Sequence, residues 1–347
     1  MKTVTTGPSP DAVTTRRPAT VRAGWFAAAV IVLALACAAS IAFGARVISP
    51  GEIVSAFTGG GDGVAEAAVL QRVPRTLLAV LVGAALGLAG AVMQGVTRNP
   101  LADPQILGVT SGAAFFVVVG IAFFGLSSPL TYVWVAIAGC AVSAAFVYTI
   151  ASMGSGGPTP LKLALAGAVT AAAVSSLVSV ILLPRIRVMN EFRFWQIGGV
   201  GGATYSRALM ILPFLAVGVL ICAASARRLN SLALGDDVAA GLGEHVIRTR
   251  VVASAGSFIL CGAVTAVAGP IGFVGLVVPH ICRLLIGIDH RWLLPYSALV
   301  GAILLTVADV IGRVVARPSE VDVGIITALV GAPFFIYIAR RQKVSAI

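Results

Sequence analysis

Charged side chains are scarce in this sequence. Asp, Glu, Lys and Arg make up 11% of its 347 residues, while 59% are hydrophobic. Ordinary soluble domains run at about 25% charged and about 45–50% apolar. That deficit excludes a water-soluble fold and places the chain among polytopic helical membrane proteins. Lysine is rarer still: Lys2, Lys162 and Lys343 are the whole set, and the other basic residues are arginines. The five cysteines (Cys37, Cys140, Cys222, Cys261 and Cys282) fall singly within apolar runs. Their spacing supports neither a metal nor a redox motif, so they read as small buried hydrophobes. No Gly-Lys-Ser or Gly-Lys-Thr occurs, which excludes a P-loop in this sequence.

Acids inside the apolar runs are almost missing, Asp309 being the clear one. Ion-coupled carriers carry intramembrane acids or half-helix ion sites, so secondary transport is disfavoured. No nucleophile–base pairing and no His/Cys/Glu cluster points to an intramembrane enzyme. His245, His280 and His290 lie at or near the ends of apolar runs and read as structural. A net charge of +11 would suggest nucleic acid in a soluble protein. Here it reads as the basic cytoplasmic loops of a membrane protein, with no nucleic-acid partner.

What is present is a succession of runs near the ~20 residues that a bilayer core requires. Ten are expected, at about 24–44, 76–95, 106–125, 131–151, 161–183, 206–226, 250–268, 271–287, 293–311 and 323–339. The first run is longer than a signal-peptide core and reads as a retained helix. Residues 1–23 are polar and are expected to form a disordered cytoplasmic tail. Residues 24–347 form a single transmembrane domain. Ten spans place both termini on one side, and the basic residues favour the cytoplasm for that side. Glycine is frequent, as in Gly83-Ala-Ala-Leu-Gly87, and lets membrane helices approach closely.

Three loop constellations stand out. "VTRNPLADPQIL" (96–107) carries two prolines, Arg98, Asn99 and Asp103 between two apolar runs. Prolines there force non-helical backbone, which membrane depth tolerates only against protein or a watery cavity. It reads either as the lining of a pore mouth or as a rigid capped turn. "LALGDDVAAGLGEH" (Leu232–His245) can form a short helix with Leu232, Leu234, Val238, Ala239 and Leu242 on one face. Asp236 and Asp237 favour its start, and Gly241 and Gly243 its end. Lipid-facing helices are usually basic; this acidic one reads as a docking element. On the outer side, Arg72, Arg75, Arg313 and Arg317 run against the charge bias. Guanidinium groups match carboxylates, so these are receptors for an external acidic protein, partners of Glu320 or Asp322, or contacts for the headgroups of membrane lipid.

Taken with "AGPIGFVGLVVPHICRLLIGIDHRWLLP" (268–295), "DVGIITALVGAPFFIYIARR" (322–341) and residues 72–114, these segments closely resemble the FecCD family. These are the permease subunits of type II ABC importers for iron–siderophore, haem and cobalamin. The resemblance implies an all-α permease fold of ten transmembrane helices in a bacterial cytoplasmic membrane, paired with a second copy or a sister permease. It implies two ATPase subunits holding ATP and Mg, and an extracytoplasmic substrate-binding protein. This chain itself would hold no cofactor and no metal. Ferric siderophores are the favoured cargo and alternating access the mechanism, with haem or cobalamin the alternatives. The resemblance makes Arg72, Arg75 and Arg313, with Arg317, the docking sites for the binding protein. It assigns Asn99, Pro100, Leu101, Thr159 and Pro160 to the cytoplasmic gate. Asp236, Ala239, Leu242 and Gly243 become the ATPase-coupling positions, Asp236 standing where Glu is usual. Glu320-Val-Asp322-Val-Gly324 departs from the family's common Glu-Leu-Pro-Val-Gly.

Overall fold

The computed structural model describes residues 18–44, 50–58, 63–100, 102–104, 108–153, 160–186, 188–189, 192 and 198–341. Twelve helices are found among them: α1 (Ala19–Ala42), α2 (Pro50–Thr58), α3 (Gly63–Thr97), α4 (Val109–Phe124), α5 (Pro129–Ser152) and α6 (Pro160–Leu182), then α7 (Tyr205–Leu232), α8 (Asp236–Gly241), α9 (Val246–Ala268), α10 (Val274–Ile286), α11 (His290–Val315) and α12 (Val323–Arg341). Seven are long and apolar enough to cross a membrane, and α4, α10 and α12 are shorter apolar helices. These ten coincide with the ten expected runs. The additions are α2, α8 and an extension of α3 back through Pro74 to Gly63. Residues 1–17 of the expected tail lie outside the described residues, and α1 begins at Ala19, so that Arg22 belongs to its first turn.

α3 is the axis of the bundle. Of its most apolar window, 78% is buried, against 17% for α1. It packs against α7, α9, α10 and α11. Glycine makes this possible. A Cβ at Gly83 would run into the carbonyl of Gly301, one at Gly87 into that of Ser297, and one at Gly90 into that of Gly275. The helices therefore meet backbone to backbone, as small residues allow within lipid. Away from this axis, Ile31, Leu35, Phe146, Val169, Val180 and Leu220 remain exposed. An apolar surface of this kind suits hydrocarbon and would be untenable in water. All five cysteines are free, four of them buried, as small hydrophobes would be.

Alternation of the spans gathers the helix ends into two layers. One holds the start of α1, the end of α3, α8 and the starts of α9 and α11. Contacts among Arg22, Asn230 and Asp289, and among Arg98, Asp236 and Arg250, tie this layer together. The opposite layer holds the end of α1, the start of α3, the end of α11 and the start of α12, joined through Arg72, Arg75, Asp309 and Arg313.

Candidate functional site

The first candidate is the arginine layer. Arg72 and Arg75 lie one turn apart on α3; Asp309 and Arg313 lie one turn apart on α11. Asp309, 1% exposed, is held from both sides. Arg75 Nε and Nη2 donate to its Oδ1 at 3.1 and 2.8 Å, and Arg313 Nη2 pairs with Oδ2 at 2.9 Å. Arg75 Nη1 also donates to Glu320 Oε2 at 2.6 Å. The remaining donors go to the end of α1. Arg72 Nη1 donates to the carbonyls of Ile41 and Ala42, both at 2.9 Å. Arg313 Nη1 reaches the carbonyls of Ser40 and Phe43, and Arg317 Nε that of Gly44 at 2.9 Å. Helix C-termini leave carbonyls without partners and carry partial negative charge, so three guanidinium groups cap one helix. Buried Ser40 and Thr76 complete the seam, their hydroxyl oxygens 2.6 Å apart.

Of the four arginines expected to face an external partner, Arg72 and Arg313 are therefore buried and occupied within the chain. Arg75 is largely buried, its side chain 11% exposed, and Arg317 is exposed. Pairing with Glu320, another possibility the sequence left open, holds for Arg75. Asp322, just before α12, has its carboxyl pushed up by burial and by the neighbouring Glu320 and Asp309, against the pull of Arg75.

The second candidate is the opposite layer. α3 ends at Thr97, and Arg98 follows with φ of 52°. Its N–H turns back to Gly95 O, and that of Asn99 to Gln94 O at 3.2 Å. This is the Schellman ending, whose left-handed position is usually glycine. Asn99 and Pro100 then leave the helix axis, and Ala102 N–H closes a turn on Asn99 O at 3.1 Å. Pro160 opens α6, a favoured place for proline. Leu101 and Thr159 lie outside the described residues.

Beside this loop sits α8, six residues long, with Asp236 and Asp237 in its first turn. Gly243 follows at φ of +85°, and its N–H bonds to Ala240 O at 2.9 Å. The expected single apolar face is not formed. Leu232 and Ala239 are fully buried and anchor the segment, whereas Leu234, Val238 and Leu242 point outward. Helix α8 is too short for one stripe to hold all five side chains, so packing divides them. Asp236 is not free for a partner either: it pairs with Arg98 Nη2 at 3.0 Å and Arg250 Nη2 at 2.9 Å. Nearby, Asp289 caps α11 through Arg291 N–H at 3.1 Å and accepts from Asn230 Nδ2 at 2.8 Å. Burial pushes its carboxyl up, but these bonds and the charges of Arg22 and Arg291 outweigh that and hold it below its ordinary value.

No sequence pattern announced Arg22, Asn230 or Asp289 as a unit, because the partners are far apart in the chain. Asp309 was visible as an isolated intramembrane acid, and such residues are expected to have a buried partner.

Known proteins resemble this arrangement along nearly its whole length. The FecCD transport family model matches residues 31–341. The ferric enterobactin transport system permease protein FepD of Escherichia coli (strain K12) is 43% identical, over 90% of this chain and 93% of its own. The Fe(3+)-citrate import system permease protein YfmD of Bacillus subtilis (strain 168) is 46% identical, over 81% of this chain and 84% of its own. A solved ABC transporter assigned to the metal-chelate type, in an inward-facing conformation, superimposes with a TM-score of 0.77 at 30% identity. That match covers 92% of this chain and 100% of the other. The chain belongs to the FecCD transport family, a family of multi-pass permeases of ABC importers.

Proposed function

We propose that this chain is the membrane subunit of an ATP-driven importer of ferric siderophores in a bacterial cytoplasmic membrane. The observation that carries this is the family match over residues 31–341, alongside relatives whose names specify ferric enterobactin and ferric citrate. The sequence contains no P-loop, so hydrolysis belongs to a separate ATPase subunit, present twice per complex, that holds ATP and Mg. A second permease, a copy or a sister chain, completes the pathway, and transport proceeds by alternating access.

The layer containing Asp236 faces the cytoplasm in this reading, with both termini. Arg98, Arg227, Arg228, Arg248, Arg250 and Arg291 support that orientation. The exposed Leu234, Val238 and Leu242 meet the ATPase, while Ala239 and Gly243 set the shape of the segment and Asp236 its position. Leu242→Asp is expected to reduce ATPase copurification at least tenfold without loss of the permease. Undiminished copurification would reject this face as the contact. Asn99, Pro100 and Leu101, with Thr159 and Pro160, form the cytoplasmic gate.

At the other layer, acidic residues of an extracytoplasmic binding protein meet Arg75 and Arg317, a reading supported by the pairing of Arg75 with the carboxylate of Glu320. Arg72 and Arg313 act behind them, holding α1 so that the rim keeps its shape.

Uptake of radio-iron as ferric siderophore in iron-starved cells tests the proposal, with the gene deleted and then restored. Uptake should fail on deletion and return on restoration. Unchanged iron uptake with lost haem or cobalamin uptake would overturn the cargo and leave the architecture standing.

A further inference from the structure

We infer that Arg98 is a positioning residue that couples the ATPase-docking helix α8 to the gate loop, through its ion pair with Asp236. The inference rests on the proposed roles of α8 and of Asn99-Pro100. Its evidence is a residue in an unexpected place. The left-handed position of a Schellman ending favours glycine, because any Cβ there is strained. Here that position, φ of 52°, is held by arginine. Its side chain is 40% exposed and ends on Asp236, itself 42% exposed, at 3.0 Å. An ion pair this open to solvent contributes little to stability. The pair therefore does not offset the strain, and strain retained without a stability gain marks a functional contact.

The geometry specifies what that contact does. Asp236 is the first residue of α8, and a Cβ on Gly235 before it, at φ of +110°, would lie 3.8 Å from Arg98 Nη1, an ordinary contact. Arg98 is the hinge between the rigid end of α3 and Asn99-Pro100. A shift of α8 is thus applied directly to the residue whose backbone aims the gate loop. Arg250, from the second turn of α9, shares Asp236 Oδ1 with Arg98 at 2.9 Å and also reaches Oδ2 at 3.1 Å. That second partner keeps the carboxylate compensated when Arg98 is removed, so loss of the pair should not unfold the segment.

Arg98→Gly separates the two roles of this position, since glycine keeps the turn and relieves its strain while deleting the contact. The test is reconstitution of the permease with its ATPase and binding protein in proteoliposomes. Ferric chelate transported per ATP hydrolysed is measured, together with the thermal midpoint of the complex. Arg98→Gly is expected to assemble, to melt no lower than wild type, to hydrolyse ATP, and to transport at least tenfold less per ATP. Arg98→Lys should recover part of that loss. Asp236→Asn should lower transport per ATP similarly and add little to Arg98→Gly, as members of one pair do. Wild-type transport per ATP in Arg98→Gly would overturn the inference and leave the proposed function intact. A complex that melts well below wild type, or loses its ATPase, would also overturn it, making Arg98 a structural or docking residue. Wild-type protein that moves no chelate with ATP would instead overturn the underlying functional reading, and the inference with it.

Discussion

Asp309→Ala is expected to remove most of the folded protein from membranes. Asp309 is the shared acceptor of Arg75 and Arg313, and it is almost wholly buried. Deleting it leaves those two guanidinium groups facing each other, with Arg72 close by and Glu320 at the surface as the nearby acid. Breaking a buried ion pair from one side costs about 3–5 kcal/mol, a large share of the roughly 5–15 kcal/mol that holds a typical domain together. The end of α1 should loosen in the same event, because Arg313 orients toward Ser40 and Phe43 from its pairing with Asp309. Thermal unfolding of detergent-purified protein checks this. Glu320→Ala is the control: its pair is 39% exposed on the acid side, and its loss should cost no more than about 1 kcal/mol. Equal midpoints for Asp309→Ala and wild type would show that the arginine layer does not hold the bundle together.

The second large effect belongs to Gly90→Val. The new Cβ would collide with the backbone of Gly275, not with the movable end of a side chain. Helices α3 and α10 would have to separate. Gln94, one turn further along α3, would then lose its amide bonds to the carbonyls of Gly275 and Leu276. Overpacking against side chains already costs about 1–3 kcal/mol; against backbone the cost should be larger. Gly24→Val in α1 is the matched control, since nothing lies within 4 Å of a Cβ there. Size-exclusion profiles of the two variants should separate cleanly, with Gly90→Val aggregated and Gly24→Val monodisperse. A monodisperse Gly90→Val would mean that the two helices need not touch.

Much of this architecture was legible because the signal for a membrane span is local: an apolar run of the right length names itself. Even α10 and α12, at 13 and 19 residues, were found this way. The errors occurred where local chemistry pointed one way and packing another. Pro74, with Arg72 and Arg75 beside it, precedes the start expected for that span, at about 76. α3 nevertheless runs through it, with Arg72 turned to the end of α1 and Arg75 to Asp309 of α11 and to Glu320 at the surface. Nor could it be read from the residues alone that Arg72 and Arg313 turn to the end of α1. Sequence gives the charge of a side chain but not its neighbour, and the carbonyls at the end of α1 lie in another part of the chain. Leu232 and Ala239 shared a helical face with Leu242 on paper; α8 ends before such a face can form. Arg98 is the plainest case, since nothing in "TRNP" discloses a left-handed backbone.

One helix joins the two layers. α3 has 35 residues, which at a rise of 1.5 Å each gives a rod of about 52 Å. Arg75 engages Asp309 about a third of the way along it, and Arg98 engages Asp236 just past its end. The angular phase between these two contacts is therefore fixed by residue count alone. Adding or removing one residue between them would rotate one end by about 100° relative to the other. The two faces of the membrane are thus keyed to each other through an integer, and α3 meets both of its partners at a single length.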